Sequence, residues 1–154
     1  MMAAFEKIKQ LLEEKGIEYE FKEHEAVRTS EEAAAVRGDD LKIGAKALVF
    51  KAGDRFVMCV LSAAKKIDSK RLKKILGTKK LRFATPEEVM NKTGCEPGGV
   101  PPFGNVFELD VYVDKSLLEN EFMAFNAGER TKSLRMKTED YLQLVRPEVR
   151  EFGN

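Results

Sequence analysis

The chain has 154 residues, the usual size of one domain, so residues 1–154 are expected to form a single folded unit. Hydrophobic residues make up 43% and charged residues 34%, which predicts a packed core beneath a charged surface. The net charge of +1 argues against a protein that is basic all over, and no apolar run reaches the roughly 18 residues of a membrane span.

The N-terminal part is predicted to contain a helix, a strand and a second helix. Apolar residues at helical spacing predict the first helix over 3–15, and alternating apolar residues over 17–21 predict a short strand. Thr29 followed by Glu32 resembles a capping box, which opens an alanine-rich helix that ends at Gly38.

The middle of the chain begins with two predicted strands, over 45–51 and 55–62. Because the turn between them is short, the two strands are expected to pair antiparallel. The second strand is apolar almost throughout, which predicts burial on both of its faces. A basic helix capped by Asp68 or Ser69 follows, and residues 81–84 are predicted to form a short strand.

The C-terminal half begins with a strong helix start over 85–88, where a proline in the first turn is followed by two acids. The further predicted elements are a strand or bent pair over 106–113, a helical turn over 116–119, strands over 121–128 and 132–136, and a helix over 138–144. Since strands and helices mix without regular βαβ alternation, the sequence predicts an α+β fold with a mixed or largely antiparallel sheet.

Groups suited to metal or nucleophilic catalysis are scarce. His24, Cys59 and Cys95 are too few for a zinc ligand set, so neither a metal nor a cofactor is predicted. His24 is expected at the surface or at a strand end, and Cys95 lacks a basic partner nearby in sequence. The N-terminal segment has no apolar core of a signal peptide, and reduced cysteines together with this segment predict a cytoplasmic protein without membrane contact.

Two features indicate a site for an anion and a carbonyl group. Lys46 shares a strand face with Leu48 and Phe50, where a lysine either reaches the sheet edge or binds an anion. The segment 94–104 (GCEPGGVPPFG) contains four glycines and three prolines. Such a loop lets backbone N–H groups approach a carbonyl oxygen or an oxyanion, although it could also be a tight structural connection.

Residues 65–82 carry nine lysine and arginine residues, opposed only by Asp68. A local basic surface of this kind can hold a phosphate backbone. The alternative is a solvated helix face that keeps the protein in solution.

Three motifs, GAKALVFK, PGGVPPFG and FNAG in this order, resemble the YbaK-type aminoacyl-tRNA deacylase family, which is related to the editing domain inserted in bacterial prolyl-tRNA synthetases. The similarity extends over nearly the whole chain, including TSEEAA and KKIDSKRLKKILG. The resemblance implies one domain with the editing-domain fold, a barrel-like mixed sheet flanked by helices. It also implies hydrolysis of mischarged aminoacyl-tRNA.

The same resemblance implies the site residues. The implied catalytic residues are Lys46, which anchors the acceptor end, and the loop residues Gly98, Gly99 and Pro102. The implied substrate-binding residues are Val100, Pro101, Phe103, Gly104, Phe50, Asn126 and Gly128. The expected tRNA-binding residues are Lys65, Lys66, Lys70, Arg71 and Lys74. Pro101 stands where relatives often carry serine or threonine, so no hydroxyl group acts from that position.

The sequence therefore predicts a free-standing trans-editing hydrolase that removes alanine, cysteine or serine from a mischarged tRNA, such as tRNA-Pro. Its partners are aminoacyl-tRNA and, as a further hypothesis, an aminoacyl-tRNA synthetase; no oligomeric state follows from these patterns. One alternative is a non-catalytic tRNA- or nucleotide-binding module of the same fold. Another, a general RNA-binding protein, is disfavoured because the chain has no tryptophan and few phenylalanines outside core-like positions.

Overall fold

The computed structural model describes residues 2–154, and in this part of the chain five α-helices surround two β-sheets. The helices are α1 (Ala4–Glu14), α2 (Ser30–Arg37), α3 (Ser69–Leu76), α4 (Pro86–Thr93) and α5 (Thr138–Val145). The strands are β1 (Tyr19–Glu23), β2 (Ala45–Ala52), β3 (Arg55–Ser62), β4 (Leu81–Phe83), β5 (Asp110–Asp114), β6 (Phe122–Asn126), β7 (Lys132–Lys137) and β8 (Glu148–Arg150). Within these residues no helix is both long enough and apolar enough to cross a membrane.

The larger sheet is mixed and has the strand order β4-β2-β3-β5-β8. Strand β2 pairs antiparallel with both β4 and β3, whereas β3, β5 and β8 run parallel. The smaller sheet, β1-β7-β6, is antiparallel, and an isolated parallel bridge between Gly44 and Ala124 joins the two sheets. The predicted α+β class is confirmed, and the barrel-like sheet is realised as two sheets that meet at this bridge.

Strand β3 is buried on both faces, as its sequence predicts. Side chains alternate along a strand, so Val57, Cys59 and Leu61 face one core while Met58 and Val60 face the other. Helix α3 covers the first face, and α1 contributes to the core on the second. Each fully buried aliphatic side chain stabilises the fold by about 1.5–3 kcal/mol, so the sheet that carries the site is a rigid support.

Helix starts follow local signals in the sequence. The Thr85 hydroxyl accepts from the Glu88 backbone N–H at 3.1 Å, and the Glu88 carboxylate accepts from the Thr85 N–H at 2.8 Å. This reciprocal pair forms the complete capping box that opens α4. Asp68, rather than Ser69, caps α3, and Thr29 caps α2.

Two elements differ from the sequence prediction. The strand or bent pair predicted over 106–113 is wrong in its first half, because residues Gly104–Phe107 form a 3-10 turn. Gly104 packs so closely on Val111 that a methyl group at Gly104 would collide with the valine, and Glu108 adopts a left-handed conformation at φ 59°. Strand β8 was not predicted because its three residues are exposed and carry no alternating apolar pattern.

Candidate functional site

A cavity of about 210 Å³ lies between the start of β2, the N-terminal end of α2 and the loop 94–104, here called the glycine–proline loop. Four of the sequence-predicted site residues line it together: Lys46, Gly98, Val100 and Asn126. The lining also includes side chains that the sequence did not single out for the site: Val27, Arg28, Thr29, Ser30, Arg37 and Arg130.

Lys46 is half-buried at the cavity wall and makes no ion pair with any residue in 2–154. Burial lowers the pKa of its ammonium group below the ordinary value; the negative charge of Glu31 opposes this shift and the positive charge of Lys66 adds to it. A partly desolvated cation without a protein partner is suited to receive an anion from a ligand.

The charged side chains that line the cavity are all cations: Arg28, Arg37, Lys46 and Arg130. Arg130 donates to the Glu96 carboxylate at 2.7 Å. No carboxylate of residues 2–154 lines the cavity itself. The cavity therefore attracts negative charge, since its walls concentrate positive charge in a partly enclosed space.

The backbone carbonyls at the tip of the glycine–proline loop are held by hydrogen bonds. The Asn126 side-chain amide donates to the Gly98 carbonyl at 2.6 Å, and the Gly128 N–H donates to the Gly99 carbonyl at 2.8 Å. Gly98 has a φ of 89°, which favours glycine. A Cβ at Gly99 would lie 3.3 Å from the Gly128 carbonyl oxygen, so any side chain there would push the two segments slightly apart.

Two of the loop residues that line the cavity, Gly98 and Val100, have an N–H group without an acceptor in residues 2–154. Neither the Gly98 N–H nor the Val100 N–H donates to any group of the described chain, whereas the Gly99 N–H donates to the Glu96 carbonyl at 2.9 Å. Because C=O and N–H point in opposite directions across a trans peptide bond, the Val100 N–H points away from Gly128. Both residues line the cavity, and an N–H group without an acceptor can bind a carbonyl oxygen or an oxyanion.

The remaining predicted loop residues lie behind the cavity wall. Pro101, Pro102, Phe103 and Gly104 are buried, and the buried Tyr141 hydroxyl donates to the Pro102 carbonyl at 2.5 Å. The Phe103 ring packs edge-on against Tyr141, with 5.4 Å between ring centroids. These residues support the loop from the core and do not line the cavity.

Two other predicted substrate-binding residues also lie outside the cavity lining. Phe50 is 2% exposed and packs in the core under α3, because its strand position directs it toward Leu72 and Leu76. Gly128 acts through its N–H on the Gly99 carbonyl. Its own conformation, at φ 97°, leaves no room for a side chain because a Cβ would lie 2.9 Å from the Phe5 nitrogen.

A hydrogen-bond network that the sequence did not predict supports Asn126. Arg37 donates from Nη2 to Asn126 Oδ1 at 2.9 Å and from Nε to the Ser133 hydroxyl at 2.9 Å. Burial lowers the pKa of the Arg37 guanidinium to about 10, and the charge of Asp39 partly opposes this shift. Arg37 is therefore charged at neutral pH, and it fixes which end of the Asn126 amide faces the loop.

His24 directly follows the end of β1, in line with the strand-end position that the sequence predicts, and its ring extends this network. Its Nδ1 donates to the Glu25 carbonyl at 2.8 Å, since a carbonyl can only accept. In neutral His24 the other ring nitrogen, Nε2, accepts from the Ser133 hydroxyl at 2.7 Å. Sequence reasoning missed the link because Ser133 and Arg37 lie far from His24 along the chain.

The two cysteines are unsuited to nucleophilic attack. Both are buried and unpaired, and burial raises the pKa of Cys59 to about 12. Burial also raises the pKa of Cys95, although a hydrogen bond with Thr93 opposes the shift. Within 2–154 no three His, Cys, Asp or Glu side chains are grouped so that they could hold a metal ion.

The predicted tRNA-binding residues lie outside the cavity, on α3 and the segment that leads into it. Lys65, Lys66, Lys70, Arg71 and Lys74 are all exposed. Arg71 is engaged by the carboxylates of Asp68 and Glu151, at 3.4 and 3.3 Å. The four lysines make no ion pair within the described residues and are free to meet phosphate groups.

Comparison with known proteins identifies similar sequences and folds. The family model of the aminoacyl-tRNA editing domain matches residues 24–144. The multifunctional Ser/Thr-tRNA deacylase ProXp-y of Escherichia coli K12 is 37% identical over 147 residues, which are 92% of this chain and 88% of that protein. The proline–tRNA ligase of Bacillus subtilis is 31% identical over 105 residues, which are 67% of this chain but 19% of the ligase. The crystal structure of a candidate trans-editing enzyme for prolyl-tRNA synthetase superposes with a TM-score of 0.88 at 28% identity, covering 100% of this chain and 99% of that one.

Proposed function

The chain belongs to the aminoacyl-tRNA editing domain family, as its motifs predict, and we propose that it is a deacylase that acts in trans on mischarged tRNA carrying a small amino acid. The observation that carries the proposal is the meeting of Lys46 with the Gly98 and Val100 backbone at one cation-lined cavity. The nearly full-length match to the E. coli deacylase, against the small share of the proline–tRNA ligase that is covered, supports action in trans by residues 1–154 as one domain.

The proposed reaction is hydrolysis of the ester between the amino acid and the terminal ribose. Water attacks the ester carbonyl carbon and the bond to the ribose oxygen breaks. The departing ribose oxygen takes up the proton that the water loses and becomes a hydroxyl group, while the amino acid leaves as the free acid. Because the ester is already reactive, the protein supplies positioning and charge stabilisation rather than a strong base. The neighbouring ribose hydroxyl assists the proton transfer.

Each side of the cavity has a part in this proposal. The unpaired N–H groups of Gly98 and Val100 hold the ester carbonyl and stabilise the oxyanion that forms during attack. Lys46, which makes no ion pair with a carboxylate of residues 2–154, pairs with a phosphate near the 3′ end of the tRNA. Asn126 holds the loop in the geometry that directs these N–H groups.

The proposed specificity for small amino acids rests on the side chains that line the cavity. Its apolar lining consists mainly of short side chains beside Pro97 and the longer Leu48: Val27, Ala33, Ala45, Ala47, Ala63 and Val100. A small side chain fits such a space and a larger cognate one does not, in the manner of a double sieve. Alanine, cysteine and serine fit this description, and threonine is added to the test because the E. coli relative is a Ser/Thr-tRNA deacylase.

The basic side chains Lys65, Lys66, Lys70, Arg71 and Lys74 are proposed to contact the acceptor stem. The sequence relation to proline–tRNA ligase makes tRNA-Pro and its synthetase the first partners to test. A cytoplasmic location stays a prediction from the sequence.

The test is deacylation of alanyl-, cysteinyl-, seryl-, threonyl- and prolyl-tRNA by the wild type, Lys46→Ala and Lys51→Ala. Lys51 is the matched control, because it lies on the same strand but outside the cavity, near the Phe56 ring. The proposal is supported if the wild type and Lys51→Ala release a small amino acid and Lys46→Ala does not. Absence of release with intact tRNA binding leaves the non-catalytic binding module. Equal affinity for any uncharged RNA, unchanged by Lys46→Ala, indicates a general RNA-binding protein.

A further inference from the structure

Phe83 is the most exposed large hydrophobic side chain among residues 2–154, at 60%. It lies on β4, the edge strand of the larger sheet, and its ring stacks on Phe50 with 4.6 Å between centroids and 28° between planes. Phe50 is 2% exposed and fixed in the core. The outer face of the Phe83 ring is therefore an exposed aromatic surface with a rigid base beneath it.

Phe83 lies on the sheet face that leads away from the cavity. One face of β2 carries every second residue, namely Lys46, Leu48 and Phe50. Lys46 and Leu48 line the cavity. Phe50 is the direct cross-strand partner of Phe83. Phe50 lies four positions after Lys46 on the extended strand, which places the stacked rings about 13 Å further along the same face.

Helix α3 follows the same direction. The segment that leads into α3 begins at the cavity end of β2, where Ser62 pairs with Ala45. Lys66, in this segment, is close enough for its charge to act on Lys46. Beyond the end of α3, the Lys80 carbonyl accepts from the Gly53 N–H at 2.9 Å, at the far end of β2. The exposed lysines along this course make no ion pair in the described chain: Lys65, Lys66, Lys70, Lys73, Lys74, Lys79 and Lys80.

We infer that Phe83 is a stacking platform for a base of the single-stranded 3′ end of tRNA, on a track that leads out of the cavity along β2. Exposed aromatic rings beside unpaired cations bind single strands, because bases stack on the rings while the cations meet the phosphates. Inside a base-paired stem the bases are stacked on one another, so their faces are not free to meet such a ring. The inference rests on the proposed function, since it is the terminal nucleotide in the cavity that directs the preceding nucleotides toward Phe83.

The test is a binding measurement with uncharged RNA, so it does not depend on hydrolysis. A labelled RNA hairpin with a four-nucleotide ACCA 3′ overhang is compared with the same hairpin without the overhang, by fluorescence anisotropy at fixed salt. The wild type is expected to bind the overhang hairpin more tightly. Phe83→Ala is expected to weaken that binding about 5- to 150-fold, the range for loss of one stacked base, and to leave blunt-hairpin binding unchanged.

Three further variants separate stacking from other effects. Phe83→Trp keeps a π-face and is expected to retain the overhang preference, whereas Phe83→Leu keeps apolar cover over Phe50 and is expected to lose it. Phe21→Ala is the matched control, because Phe21 is also an exposed strand aromatic, at 45%, packed on another phenylalanine, Phe5. It lies on the other sheet and is expected to change nothing. Thermal unfolding checks that each variant is folded.

Equal binding of both hairpins by the wild type overturns the inference, and so does an overhang preference that survives in Phe83→Leu. Deacylation of the charged tRNAs is measured separately with the same variants. If the wild type prefers the overhang hairpin, this preference depends on Phe83 and no amino acid is released, the stacking inference is supported and the proposed activity is refuted. A wild type that deacylates tRNA without an overhang preference keeps the activity and refutes the platform.

Discussion

The Asn126 amide holds the Gly98 carbonyl at 2.6 Å, so the end of β6 fixes the tip of a loop that comes from a distant part of the chain. Arg37 orients that amide from the other side, at 2.9 Å from Asn126 Oδ1. The loop geometry is thus set by side chains from β6 and α2 as well as by its own prolines.

Asn126→Ala removes the hydrogen bond to the Gly98 carbonyl. We expect kcat for deacylation to fall about 10- to 100-fold, because small displacements of groups that position the substrate slow the reaction. Affinity for uncharged tRNA should stay within about twofold, since no charge is removed. Steady-state kinetics and a tRNA binding assay measure the two effects. Asn120→Ala is the control, because Asn120 makes a similar bond to the Lys42 carbonyl at 3.0 Å outside the cavity. Equal kinetic losses in both variants contradict the positioning role.

Arg37→Lys keeps the positive charge but removes the planar group that reaches Asn126 and Ser133 together. We expect about a tenfold fall in kcat with little change in KM, whereas Arg37→Ala should also raise KM because the cavity loses a cation. Arg28→Lys is the matched control, since the Arg28 side chain lines the same cavity and makes no hydrogen bond within residues 2–154. A kcat unchanged in Arg37→Lys means that charge alone matters at this position.

Tyr141→Phe leaves the Pro102 carbonyl without its buried donor. We expect a loss of about 1–3 kcal/mol in the free energy of unfolding, the cost of an unsatisfied buried polar group. Urea unfolding measures it. Tyr19→Phe removes a comparable bond, from an exposed hydroxyl to Glu13 at 3.0 Å, and should cost less than about 0.5 kcal/mol. A similar cost in the two variants argues against loop support by Tyr141.

Glu88 makes the stability of the fold depend on pH in the acid range. The Arg82 guanidinium and then the Thr85 backbone N–H lower the pKa of the Glu88 carboxyl from 4.5 to about 2. A carboxyl with a depressed pKa in the folded state stabilises fully above pH 4.5, and this contribution is lost as pH falls toward 2. The midpoint of urea unfolding for Glu88→Gln should therefore lie below that of the wild type at pH 6 and approach it near pH 2. Since the pair is exposed, added salt should reduce the difference.

Local features of the sequence predicted most elements correctly, because their signals lie within a few residues. Thr85 and Glu88 form the capping box that their spacing predicts, and the apolar run of β3 is buried on both faces. The failure over 106–113 has a tertiary cause: Gly104 must pack against Val111, which turns the chain where the apolar pattern predicted a strand.

Part of the candidate site could be predicted from patterns in the sequence. Strand alternation and loop composition indicated Lys46 and the glycine–proline loop, the family resemblance added Asn126, and Lys46, Gly98, Val100 and Asn126 line one cavity. Arg37 and His24 could not be found in this way, because their importance comes from hydrogen bonds between residues far apart in the chain. The aromatic platform escaped notice for a related reason, since nothing in the short strand LRF distinguishes an exposed Phe83 from a buried one.

The single bridge between Gly44 and Ala124 has a consequence for how the protein responds to its substrate. The cavity lies across this junction: Lys46 belongs to one sheet, while Asn126, which holds the loop, belongs to the other. A ligand that contacts Lys46 on one sheet and the loop held by Asn126 on the other links the two sheets and restricts their relative motion. Binding of a non-hydrolysable aminoacyl-tRNA analogue should therefore slow amide hydrogen exchange at the ends of β2 and β6 beside the junction, and leave the exchange of β8, at the far edge, unchanged.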